Sequence, residues 1–251
     1  MATKGQVAEQ MKGVHAVEYK AIIRDHQVEP AIEHFKLRRK GHERQIFFFD
    51  TPDLKLFQAG VIGRARRIKG GTDDSTIKFR PVEAGSIPKK WKQMDGFKIE
   101  ADANEDIVKD TGHSKVVKSA SFSRPVKKGQ IKRVAAGEQP ISVLFTEEQL
   151  QFLVDLAKHP FDFSEVRVMG PMKAWRWEFR NEGLPWKLYA EVWERDDKDL
   201  ICEVSIKVPV QQAAAAKGGF MAFLAEVGAE RDEGQLAKTH WFLDYYSKRL
   251  D

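Results

Sequence analysis

Residues 60–80 read GVIGRARRIKGGTDDSTIKFR, and six of their side chains, Arg64, Arg66, Arg67, Lys69, Lys78 and Arg80, are cationic. Two strand-like segments, IGRARRI and STIKFR, flank a Gly-Gly-Thr-Asp-Asp turn, which is the pattern of a β-hairpin. Arg64 and Arg66 alternate along the first segment, and Lys78 and Arg80 along the second. Residues two apart in a strand share a face, so each strand presents a row of cations where a core side chain commonly sits.

The alternation continues along the chain. VEYKAII sets Val17, Tyr19, Ala21 and Ile23 against Glu18 and Lys20, and FKIEAD sets Phe97, Ile99 and Ala101 against Lys98, Glu100 and Asp102. AWRWEF opposes Trp175, Trp177 and Phe179 to Arg176 and Glu178, and ICEVSIKV opposes Cys202, Val204, Ile206 and Val208 to Glu203, Ser205 and Lys207. RQIFFFDT reads as a strand entering a turn, and LYAEVW as a strand with Glu191 on the face of Tyr189 and Trp193. One architecture that fits is a half-exposed antiparallel sheet with a solvated charged face. The other is a barrel with the charges inside and helices over its apolar outer face. A dry charged interior is costly. Water, a polyanion and divalent cations would balance it, with Arg forks on phosphate oxygens and carboxylates on Mg²⁺ or Mn²⁺.

Helices for such a cover are present. Pro30 suits the first turn of a short helix over AIEHFKLRR, and a last helix spans roughly 235–249. TEEQLQFLVDLAK opens with a capping box, Thr146 and Gln149, and places Leu150, Leu153, Val154 and Ala157 on one side. GGFMAFLAEVG places Phe220, Phe223, Leu224 and Val227 at the same spacing. Residues 1–14 read as a flexible leader, residues 15–251 as one domain, and residues 110–140, rich in Lys, Ser and Gly, as a mobile connection with one short helix.

The 251 residues carry 42 Lys and Arg against 37 Asp and Glu, a formal charge of +5 that favours an anionic partner. No apolar run suits a membrane span or a signal core, so a cytoplasmic setting is expected. The single cysteine excludes an intramolecular disulfide, and the seven histidines lack zinc-site spacing. The Lys89, Lys90, Trp91, Lys92 cluster reads as a solvated loop, and nucleic acid is not expected as a partner. Gly70-Gly71 reads as a hairpin turn, because no G-K-[ST] follows.

VEYKA, FFFDTPDLKLFQAGVIGRARR, STIKFR, KIEAD and EVWERDDKDLICEVSIKV together resemble the CYTH superfamily, the triphosphate tunnel metalloenzymes, over Glu18 to about Tyr246. VAAGEQPISVLFTEEQ and VMGPMKAWRWEF resemble a bacterial, adenylate-cyclase-like branch of it. The resemblance implies an α+β fold, an eight-stranded antiparallel closed barrel with helices outside. It implies phosphate binding by Lys20, Arg64, Arg66, Lys78, Arg80, Arg176 and Lys207, metal binding by Glu18, Glu100 and Glu203, and water orientation by Glu191 or Asp102. Ala16 and Ser205 stand where the family's two E-x-E pairs have acids. The expected function is a metal-dependent phosphohydrolase, using Mg²⁺ or Mn²⁺, of a linear triphosphate, inorganic or carried by a nucleotide or thiamine. The alternatives are a non-catalytic binder of polyphosphate or nucleotide, and an adenylyl cyclase.

Overall fold

The computed structural model describes residues 13–23, 28–35, 41–104, 115–157, 162–227 and 238–250, with the side chains of 84, 102–104, 115 and 116 left aside. The leader expected at 1–14 lies almost wholly outside them. Nine strands form a closed barrel in the order β1-β5-β6-β4-β3-β2-β7-β8-β9. They are β1 (Ala16–Ile23), β2 (His42–Asp50), β3 (Val61–Ile68), β4 (Asp74–Phe79), β5 (Phe97–Asn104), β6 (Lys115–Pro125), β7 (Arg167–Phe179), β8 (Leu188–Glu194) and β9 (Leu200–Pro209). The helices are α1 (Val28–His34), α2 (Lys55–Gln58), α3 (Lys89–Lys92), α4 (Gln130–Ala135), α5 (Glu147–Leu156), α6 (Ala213–Glu226) and α7 (Lys238–Ser247).

The barrel therefore has nine strands where eight antiparallel ones were expected. The additional strand is β6, an eleven-residue element in the stretch read as a mobile connection. Its Ala120 and Phe122 are buried, while Ser121 and Ser123 alternate with them and dilute the apolar signal. A ring with an odd number of strands cannot alternate direction throughout. β1 and β5 form a parallel pair, in register Ala16↔Glu100 and Glu18↔Asp102.

The chain divides into two compact units, one of residues 1–42, 99–118 and 174–238, the other of 43–98, 119–173 and 239–251. In the first, the apolar faces of β1, β8 and β9 meet α1 and α6: Val17, Tyr19, Leu188, Ala190, Cys202, Val204 and Ile206 pack with Phe220, Phe223 and Leu224. Trp175 and Trp177 pack on the same cluster. Burying such side chains stabilises by about 1.5–3 kcal/mol each.

In the second unit, Phe152 of α5 is fully buried and meets Phe79, Trp91, Phe97 and Phe122 edge-on. The capping box forms as the sequence predicts, Thr146 Oγ1 accepting from Gln149 N and Gln149 Oε1 from Thr146 N. The buried stripe is Gln149, Phe152 and Leu153, however, and Val154 is 68% exposed. Gln149 is drawn inward because its amide donates to Ser75 O and Phe122 O, at 3.2 and 3.0 Å, which satisfies a fully buried polar group. Trp91 is buried with its Nε1 donating to Asp155 at 3.0 Å, so its ring is no stacking platform.

Candidate functional site

The second unit carries the cations. Register puts Phe48 opposite Arg64 and Ile46 opposite Arg66 on β2–β3. It also puts Arg64 opposite Thr76, Arg66 opposite Asp74 and Ile62 opposite Lys78 on β3–β4. Lys78 and Thr76 in turn face Ser121 and Ser123 of β6. One sheet face thus holds Arg64, Arg66, Lys78, Thr76, Ser121 and Ser123, and the other holds buried Ala65, Ile77, Phe79 and Phe122. The cationic face is not charged from end to end: Ile46 and Phe48 lie on it and are buried. Phe48 packs at a tilt against Phe242 of α7, with centroids 4.6 Å apart.

Arg66 is held bidentately by Asp74, Nε to Oδ1 at 2.9 Å and Nη2 to Oδ2 at 2.7 Å, which fixes the plane of its guanidinium. Asp74 was quoted in the turn but carried no signal of this role. Arg80 is placed by the backbone, its N–H donating to Gly60 O at 2.8 Å. Gly60 has φ +76 and leaves 2.8 Å between a notional Cβ and Arg80 O, so glycine alone fits there.

The first unit carries the acids. On β1–β9, Glu18 stands opposite Lys207, Lys20 opposite Ser205 and Ile22 opposite Glu203. On β8–β9, Glu191 stands opposite Glu203 and Tyr189 opposite Ser205. Glu18, Lys20, Glu191 and Glu203 therefore share the face away from the apolar cluster, as alternation requires. Arg176 joins it, with its guanidinium 4.0 Å from the centroid of Tyr189. Asp102 lies on β5 in register with Glu18.

Each carboxylate assigned to metal has a lysine partner. Glu18 pairs with Lys20 at 3.2 Å, Glu100 with Lys207, and Glu203 with Lys238 at 3.0 Å. Lys238, the first residue of α7, also pairs with Glu191. Its role is not legible in the sequence, because it stands far along the chain from the strands it serves. Glu203 faces Ile22, four residues along β1 from Glu18, an offset of about 13 Å at 3.3 Å per residue. A divalent ion needs its oxygens within about 2.0–2.6 Å. Among the described residues no three Asp, Glu, His or Cys converge as a metal set. As arranged, Glu18, Glu100 and Glu203 do not fit a shared metal clamp.

Burial pushes the Cys202 thiol up to about 12, so it is an inert core residue on the apolar face. Among the described residues, no helix is long and apolar enough to cross a membrane.

No protein-family model and no curated protein matches the chain. Solved structures do. A candidate adenylate cyclase from Bacillus halodurans superposes with TM-score 0.61 at 14% identity, covering 91% of this chain and 97% of its own. A candidate adenylyl cyclase from Hippeastrum, HpAC1, described as having a dominant triphosphatase activity, gives TM-score 0.61 at 17% identity, covering 92% and 96%. The chain has the fold of these proteins, a closed barrel with helices such as the sequence resemblance implied.

Proposed function

We propose that this chain binds a linear triphosphate and hydrolyses its terminal anhydride. The observation that carries the reading is the half-buried cationic face of β3 and β4, where Arg64, Arg66 and Lys78 project from one side of two paired strands. The dominant triphosphatase activity of the Hippeastrum protein of like fold supports it. Arg64, Arg66, Lys78 and Arg80 take phosphate oxygens, and Arg176, Lys20 and Lys207 add positive charge. The substrate enters as its Mg²⁺ or Mn²⁺ complex. Glu191 or Asp102 accepts a hydrogen bond from the attacking water and aligns it with the terminal phosphorus. Water adds to that phosphorus, the bond to the bridging oxygen breaks, and orthophosphate and the shortened phosphate leave. Such a reaction needs positioning and charge stabilisation above all.

A second reading, a non-catalytic binder, is favoured by Ala16, Ser205 and the lysine-paired acids. Phosphate release from inorganic triphosphate, ATP and thiamine triphosphate, with Mg²⁺ or Mn²⁺, separates the two. Release that is lost in Arg64→Ala/Arg66→Ala is expected. Binding without release would select the second reading, and cyclic AMP formed from ATP would reassign the reaction.

A further inference from the structure

Glu191 and Glu203 stand directly opposite each other on β8–β9, where two like charges repel. Neither side chain is open to bulk water, at 18% and 11% exposure. Between them lies Lys238 Nζ, which donates to Glu203 Oε1 at 3.0 Å and to Glu191 Oε2. The lysine side chain is itself only 10% exposed, and its Nζ lies 4.4 Å from the centroid of Trp193. An ammonium has three donors. Two serve the carboxylates, and the negative face of an indole completes the cage. A divalent ion bridging the same oxygens would need the same space, so the ammonium and the ion exclude each other.

We propose that Lys238 is the resident counter-cation of Glu191 and Glu203, that this pair holds no divalent metal in the native chain, and that triphosphate binds without a protein-held metal. The pairings of Glu18 with Lys20 and of Glu100 with Lys207 extend the same solution to the other acids of that face. Lysines of the chain neutralise these carboxylates, and Ala16 and Ser205 lower the number that need neutralising. The claim about Lys238 stands on ion-pair geometry alone. The claim about triphosphate rests on the proposed function.

Mn²⁺ titrated into the full-length protein without triphosphate, with the free ion followed by electron paramagnetic resonance, tests the lysine. Wild type is expected to show no Mn²⁺ binding that Glu203→Gln removes. Lys238→Gln is expected to raise Mn²⁺ affinity at least about tenfold, and adding Glu203→Gln to it to abolish the gain. A Mn²⁺ site in wild type that disappears in Glu203→Gln overturns the proposal. If Lys238→Gln does not fold, the wild-type and Glu203→Gln titrations still decide. Calorimetry with inorganic triphosphate, in EDTA and then with Mn²⁺, tests the second claim: binding that Glu18→Gln/Glu203→Gln does not weaken supports it, and Mn²⁺-dependent binding that this double change removes overturns it. No binding under either condition refutes the proposed function, while the Mn²⁺ titration continues to judge Lys238.

Discussion

Asp50 shows how one residue sets the entry to the cationic hairpin. It is 2% exposed. Its Oδ1 accepts from Thr51 N at 2.7 Å and Leu56 N at 2.9 Å, and its Oδ2 from Phe57 N at 2.9 Å. This carboxylate holds the four-residue α2 and the turn before β3 together. Desolvation raises its pKa above the usual carboxylate range, although the three N–H bonds oppose the shift. An amide at this position turns one acceptor into a donor that faces an N–H. Asp50→Asn is expected to destabilise by about 1–3 kcal/mol in denaturant unfolding. A raised native pKa means that the folded state holds the proton more tightly than the unfolded chain. The contribution is therefore fully present below the unfolded value of about 3.9 and lost as pH rises through the higher native one. The stability difference between wild type and Asp50→Asn should accordingly be largest in acid and narrow with rising pH, and a gap that widens instead would contradict the assignment.

At the scale of elements, α5 joins a local signal to a long-range one. The Thr146 capping box is readable in the sequence, since it needs only residues three apart. Thr146→Ala should cost about 1 kcal/mol in thermal or denaturant unfolding, and an unchanged stability would show that the cap is dispensable. Which face of α5 is buried was not readable, because it depends on Gln149 reaching the backbone of Ser75 and Phe122, distant in sequence. The strands divide in the same way. Those whose partners are Val, Ile and Phe on one face and charges on the other were legible from period two. β6, with serines on one face, was not. The hairpin at 60–80 was legible because its turn glycines and aspartates coincide with a break between two alternating runs. Gly70 has φ +75 as such a turn requires.

At the scale of the whole molecule, strand order closes a barrel whose alternate positions carry the charges, with Arg64, Arg66 and Lys78 beside Asp74 on β3 and β4, and lysine-paired acids on β1, β8 and β9. Candidate positions could be named from alternation and resemblance, since each lies on a strand or, for Arg80, directly after the end of β4. Their pairings could not, because Asp74 with Arg66 and Lys238 with Glu191 and Glu203 depend on register and on where α7 begins. The central claim is that the β3–β4 face binds a triphosphate, and calorimetric titration of inorganic triphosphate into wild type and Arg64→Ala/Arg66→Ala tests it most directly. Hydrogen bonds to charged groups contribute about 1.5–3 kcal/mol each, so the double change is predicted to weaken binding by roughly 10²–10⁴-fold. An affinity equal to that of wild type would contradict the account.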